Sequence, residues 1–210
     1  VLSLWYNHSM KKLLILLFSI SFLNSPSVLA SNSMDAILAV GKGDVEKGIE
    51  HMSKWANKGN SSALFILGNL FFELGNPKEA ESLLTKASEL NHPIAMKFLA
   101  TGYFKGVLGK KDYKKARYWF KKSAKYRNIN SMIYLGIIYR DGLGVDKNFK
   151  TSYMWFTIAG ILKDSSPGAK EPEDFAKEIE SQLSQSEVDN AIHLANKWLD
   201  ENPKIGRASC

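Results

Sequence analysis

Apolar residues recur at regular intervals through the middle of the chain. Three stretches of the form Leu-small-x-x-aromatic begin at Leu67, Leu99 and Leu135, at intervals of 32 and then 36 residues. In each stretch a small residue, the leucine and the aromatic residue stand four apart, which places them on one face of a helix. This pattern predicts the first helix of three successive repeats.

A second apolar pattern follows each of these helices. It begins at Ala80, Ala116 and Ser152, 36 residues apart, and continues with Leu-Leu, Trp-Phe and Trp-Phe three residues later. The spacing predicts a second helix in each repeat, and we interpret its leucine and aromatic stripe as core, not as a cofactor site. Repeats of this length are typical of stacked helix pairs, each of which buries its apolar face against its neighbours.

The residues between the two helices of each repeat are rich in glycine. We expect glycine to end the first helix with a positive φ, and Pro77 to stand in the first turn of the second helix. A final helix is expected to open at Ser184 with Glu187 completing a capping box. We expect this helix to pack on the end of the array, with Val188, Ala191 or Ile192, Ala195 and Leu199 on its apolar face.

The predicted fold is all-α, a right-handed α/α solenoid of tandem helix pairs with a C-terminal capping helix. A short helix, Met34–Val40, is expected within the incomplete first repeat. The predicted organisation is an N-terminal incomplete repeat at 31–60, three repeats at 61–162, a linker loop at 163–172, capping helices at 173–201 and a flexible tail at 202–210.

Residues 1–30 have the pattern of an upstream extension followed by a secretory signal peptide. After Met10 come two lysines, the apolar run Leu13–Leu23, and Val-Leu-Ala ending at Ala30, after which we expect cleavage. The apolar run is shorter than the ~20 residues that span a bilayer, although an uncleaved anchor is the alternative. We therefore expect an exported protein, periplasmic or secreted, with no transmembrane segment after cleavage.

Residue types that carry catalysis or bind metals are sparse. The single cysteine of the 210 residues is Cys210, and the four histidines lie in different segments without ligand spacing. No nucleophile stands beside a base in a local motif, although distant residues could still assemble a site. We predict no cofactor, no metal and no enzymatic activity.

Positive charge is concentrated in one segment of the chain. The formal net charge is +7, and the residues from Lys105 to Arg127 include ten lysines or arginines and one acid, Asp112, so this segment carries +9. A solvated helix face and a peripheral contact with anionic envelope surfaces are both open interpretations, and nucleic acid is not expected as a partner of an exported protein. The predicted basic patch consists of Lys110, Lys111, Lys114, Lys115, Arg117, Lys121, Lys122 and Lys125.

The complete repeat pattern resembles the Sel-one-like repeat, a relative of the tetratricopeptide repeat. The segment Ser131–Ala159 matches best, with Leu-Gly, Tyr-x-x-Gly-x-Gly-Val and Trp-Phe at the motif positions, and Ala95–Ala124 follows it. Ala63–Ser88 departs from the pattern through its shorter loop and through Leu83 and Leu84 in place of the aromatic pair. The opening repeat and the last helix are similar to those of exported bacterial members.

The resemblance implies a scaffold or adaptor that binds other proteins, with no established partner and an open oligomeric state. Some cysteine-rich relatives are associated with β-lactam binding and hydrolysis, so a cell-wall hydrolase, or a regulator of one, is an alternative. Those relatives carry paired cysteines in each repeat, and this chain has none.

If the array curves as its relatives do, the first helices line a concave face that binds a partner peptide or helix. The alternative is that the apolar members of this set, Phe65, Ile133 and Ile137, pack between helices. The predicted partner contacts are Phe65, Asn69, Glu73, Lys97, Thr101, Lys105, Ile133, Ile137, Arg140 and Asp141.

Overall fold

The computed structural model of the protein describes residues 45–163 and 172–203. These residues form nine α-helices and no β-strand, which confirms the predicted all-α repeat fold within them. In chain order the helices are α1 Val45–Ala56, α2 Ser61–Glu73, α3 Pro77–Glu89, α4 Pro93–Lys105, α5 Tyr113–Lys125, α6 Ile129–Asp141, α7 Phe149–Leu162, α8 Pro172–Glu180 and α9 Gln185–Glu201.

Several predicted segments lie outside the described residues. They are the signal peptide at 1–30, the short helix Met34–Val40, nearly all of the linker at 163–172, and residues 204–210 of the predicted tail. Predictions about these segments stay predictions.

The described residues belong to two compact units. The N-terminal unit ends at His92 and contains α1 to α3, and the C-terminal unit begins at Pro93 and contains α4 to α9. Within the units, α2 packs against α3, α4 against α5, and α6 against α7, which are the helix pairs that the repeat spacing predicts.

Glycine and proline stand at ends of these helices as predicted, and a polar side chain adds a cap that was not predicted. Gly142 ends α6 in the left-handed conformation with a φ of 71°, and α3 begins at Pro77. The side chain of Asn148 caps α7 by accepting a hydrogen bond of 2.8 Å from the backbone amide of Thr151.

The two helices of a repeat approach closely because a small residue in one faces a large residue in the other. A Cβ atom added to Gly136 of α6 would lie 2.4 Å from a ring carbon of Phe156 in α7. Beside this contact, the buried Ser152 donates a hydrogen bond of 2.7 Å to the carbonyl oxygen of Gly136, so its hydroxyl is satisfied. The Leu-Gly and Ser positions of the repeat are therefore packing positions.

The aromatic stripes of the second helices belong to the core, as predicted. Phe120 and Phe156 are fully buried, and Trp119 and Trp155 are 6% and 5% exposed. The ring of Phe120 stacks on Tyr134 of α6 with a centroid distance of 4.8 Å.

The two C-terminal helices pack against α7, which agrees with their predicted capping role. The capping box between Ser184 and Glu187 is present at the start of α9. Val188, Ala191 and Ala195 are the buried residues of α9.

His92 is buried at the end of the N-terminal unit. Its ring stacks on Phe65 with a centroid distance of 5.0 Å and is 7% exposed. Burial lowers the pKa of His92 from 6.5 to about 4. The imidazole is therefore neutral in the folded protein at pH values where it is largely charged in the unfolded chain.

We predict that Gly136→Ala destabilises the protein by about 1–3 kcal/mol, because the added methyl group overlaps the ring of Phe156. Gly160→Ala in α7 is the matched control, since the atoms nearest to its methyl group would belong to the flexible side chain of Glu173. Urea unfolding of both variants checks the prediction, and equal stability of the two would contradict it.

We also predict that His92 makes stability depend on pH. Between pH 6.5 and about 4 the unfolded chain binds one more proton at this residue than the folded protein does, so the free energy of unfolding falls as the pH falls. The loss is on the order of 3 kcal/mol and is complete near pH 4. Urea unfolding of His92→Phe between pH 4 and 7 should show a correspondingly weaker pH dependence, whereas His51→Gln, at an exposed position, should keep that of the wild type.

Candidate interaction surface

The predicted partner contacts of α4 form an accessible row. Lys97 and Thr101 are partly exposed and Lys105 is exposed, and the three stand four residues apart on one helix face. The hydroxyl of Thr101 donates a hydrogen bond of 2.9 Å to the carbonyl oxygen of Lys97, which satisfies the hydroxyl locally. Neither lysine forms an ion pair with another described residue. We call these three residues the α4 row.

The corresponding residues of α6 pack against a hydrophobic cluster formed by the chain's own helices α7 and α8. Ile133 and Ile137 pack against the cluster of Phe156, Ala176 and Ile179, of which the last two belong to α8. Both isoleucines therefore have the packing role that was given as the alternative to partner binding.

Arg140 and Asp141 extend this set of α6 residues. The guanidinium of Arg140 lies 3.5 Å from a carboxylate oxygen of Glu178 and over the ring of Phe175, both in α8. Its Nε also donates a hydrogen bond of 2.7 Å to Asp141, and the hydrogen bonds to Asp141 raise the pKa of Arg140. Arg140 thus connects α6 to α8, while Asp141 stays exposed.

The predicted contacts of the N-terminal unit are less accessible. Phe65 is 1% exposed and stacks on His92, so the packing alternative also describes Phe65. Asn69 and Glu73 are partly exposed, and the side-chain oxygen Oδ1 of Asn69 is buried without a hydrogen-bond partner. Of this set, only Asn69 and Glu73 could contact a partner.

The basic patch lies on α5 and the loop before it, and aromatic rings accompany several of its cations. Lys121 and Arg117 lie over the ring of Tyr139 at 5.7 and 6.0 Å from its centroid. Lys122 lies over Tyr118 and Trp119. Cation–π contacts stabilise the fold, so these cations have packing roles in addition to any external one.

A cleft of about 530 Å³ opens on the N-terminal unit, which the sequence did not predict. Its apolar lining includes Leu67 and Phe71 of α2 and Leu83 of α3. The full lining is Ser53, Ala56, Asn57, Gly59, Leu64, Leu67, Phe71, Leu83, Lys86, Glu89 and Leu90. The sequence signal for the cleft is Leu83, which stands where the other repeats have tryptophan.

The described part of the chain comprises residues 45–163 and 172–203. In that part of the chain no helix is long and apolar enough to cross a membrane. The same residues contain no group of three or more His, Cys, Asp or Glu side chains arranged to hold a metal ion.

Comparison with known families identifies the repeats. A sequence model of the Sel1 repeat matches residues 38–60, 61–92, 93–125 and 129–164, which together make up more than half of the chain. No curated protein matches the chain.

Two solved structures share this fold. The crystal structure of c5321, a protective antigen present in uropathogenic Escherichia coli strains that displays an SLR fold, is similar with a TM-score of 0.63 and 23% identity. The match covers 79% of this chain and 37% of c5321. A Sel1 repeat protein from Oxalobacter formigenes is similar with a TM-score of 0.61 and 22% identity over 89% of this chain and 79% of its own.

We predict that Ile179→Ala loosens α8 from α7, because it removes a side chain that is 3% exposed in the cluster with Phe156 and leaves a cavity of a kind that costs about 2–5 kcal/mol. Faster amide hydrogen exchange in α8 would report the loosening. Glu180→Ala, at the exposed neighbouring position, is the control, and unchanged exchange in Ile179→Ala would contradict the packing described for this helix.

Proposed function

Because the chain belongs to the Sel1 repeat family, we propose that it is an exported scaffold that binds another protein, and that the α4 row is part of its binding surface. The partner would present an extended peptide or a helix that carries acidic and apolar side chains. Proteins built from these repeats generally mediate protein–protein interactions, which supports the class of function.

The observation that carries the proposal is the contact between α8 and α6. Helix α8 is acidic and amphipathic: it carries Glu173, Asp174, Glu178 and Glu180, and it packs through Phe175 and Ile179. Together with Phe156 of α7, it forms the cluster against which Ile133 and Ile137 pack. These two isoleucines occupy the same repeat positions as Lys97 and Thr101 of the α4 row. The chain's own helix thus indicates the chemistry that these repeat positions accept.

The charge of the α4 row favours an acidic partner. Lys97 and Lys105 lie two turns apart on one face and form no ion pair with described residues. A peptide with carboxylates at matching spacing could pair with both lysines, and binding of this kind weakens as salt screens the charges.

The proposed location rests on the residues before the fold. The two lysines after Met10, the apolar run Leu13–Leu23 and the small residues ending at Ala30 follow the order of a secretory signal. Export would place the scaffold among proteins of the bacterial envelope or outside the cell.

We predict that the double charge reversal Lys97→Glu with Lys105→Glu weakens partner capture at least about tenfold, since it replaces two attractive charges with repulsive ones. The measurement is affinity capture from the envelope fraction of the source organism, quantified by mass spectrometry for each captured protein. Capture by the wild type should fall as salt rises.

The matched control is Lys78→Glu with Lys147→Glu, which makes the same change of charge at exposed positions of α3 and of the loop before α7. It should capture the partner as the wild type does. Circular dichroism melts should agree among the three proteins. If the Lys97 and Lys105 variant captures every partner normally, the α4 row is not the binding surface.

A further inference from the structure

Three helices of each unit can be placed in register with three helices of the other. Helices α1 and α2 begin 68 residues before α5 and α6, and α3 begins 72 residues before α7. Corresponding side chains can therefore be compared between the two blocks, each within its own unit.

In the C-terminal unit, large side chains stand at three positions of the block: Lys121, Arg127 and Trp155. Lys121 lies over Tyr139, 5.7 Å from the ring centroid, and Trp155 is 5% exposed. Arg127, just after α5, donates hydrogen bonds of 3.3 and 3.2 Å from its guanidinium to the carbonyl oxygen of Asn202.

The N-terminal unit has smaller side chains at the same three positions. Ser53 stands where the other block has Lys121, Gly59 where it has Arg127, and Leu83 where it has Trp155. All three line the cleft of about 530 Å³, and Leu90 at its edge is 48% exposed. At three positions the cleft is therefore lined by side chains that are smaller than their counterparts in the other block.

In the C-terminal unit, the C-terminal end of helix α9 packs beside Trp155 and Arg127. Its Trp198 meets Trp155 edge to face at 5.5 Å between ring centroids, and the carbonyl oxygen of Asn202, the residue after α9, accepts the hydrogen bonds from Arg127. An amphipathic helix with an indole near its C-terminal end, together with the residue that follows it, thus contacts two of the three large residues.

The geometry points to a second binding site: the cleft of the N-terminal unit receives the tryptophan side chain of an amphipathic helix that belongs to a protein partner. The leucines of the cleft and Phe71 would surround the indole. An indole is larger than the side chain of a leucine and offers more apolar contact. The lining includes one cation and one anion, Lys86 and Glu89, so apolar contact and not net charge selects the ligand.

This site is separate from the proposed α4 row, since no residue of that row lines the cleft. The two sites also differ in their response to salt. Binding through the lysines of the α4 row weakens as salt rises, whereas burial of an indole in an apolar cleft is little affected. Either site can therefore fail experimentally without the other.

The test uses the full chain and a fluorescently labelled synthetic peptide of residues 185–203, which contains α9 and its Trp198. We expect saturable binding by fluorescence anisotropy that changes less than about twofold between low and high salt. The same peptide with Trp198→Ala should bind at least about tenfold more weakly. No binding of the wild-type peptide at concentrations up to about 1 mM would overturn the proposal.

Two substitutions that restore the larger side chains locate the site. Leu83→Trp and Ser53→Lys should each reduce peptide binding at least about tenfold by filling the cleft. Ser82→Trp is the matched control, because it adds the same indole to α3 at an exposed position outside the cleft and should bind normally. Normal binding by both filled variants, with unchanged circular dichroism, would overturn the assignment.

Self-association is measured in parallel by sedimentation of the wild type and of Leu83→Trp. A monomeric wild type supports a separate partner. A wild-type dimer that Leu83→Trp dissociates would show that a second copy of this chain occupies the cleft, and would overturn the assignment to a different protein.

Discussion

The close approach of two helices within each repeat is the constraint on which the structure depends. It requires a small residue in the first helix opposite a large one in the second, as Gly136 lies against Phe156 and Gly68 against Leu84. This contact fixes the rotation of each helix about its axis. Every other position in the repeat then points in a set direction, either into the core or toward a surface that a neighbour or a partner can cover.

Much of the fold could be predicted from the sequence because this constraint is local. Intervals of four within helices and of about 36 between repeats identify the helices, and single residues such as Pro77, Gly142 and Ser184 set their ends. These signals act over a few residues, so they do not depend on knowing which segments meet in space. The aromatic stripes of the second helices could be predicted as core for the same reason, because their spacing within one helix identifies them.

The surfaces were harder to predict because they depend on contacts between distant segments. The sequence indicates that α8 is an amphipathic helix, but only the structure places Phe175 and Glu178 against Arg140 of α6. Likewise, Phe65 occupies a predicted contact position but stacks on His92, 27 residues later in the chain. The substitution of tryptophan by Leu83 was visible, yet its consequence required knowing that three helices meet there.

Repeat positions can therefore serve packing in one place and recognition in another. In the C-terminal unit, Trp155 packs against α9, and Ile133 and Ile137 pack against the cluster that α7 and α8 form. At the positions that correspond to the isoleucines, the α4 row presents cations that the described residues of its own unit leave accessible. At the position that corresponds to Trp155, Leu83 lines a cleft with an accessible apolar surface. An apolar side chain gains about 25 cal/mol for each Å² removed from water. A partner that supplies the missing indole gains the stabilisation that the chain obtains internally elsewhere, so a change of side-chain volume turns a packing position into a binding position without altering the backbone.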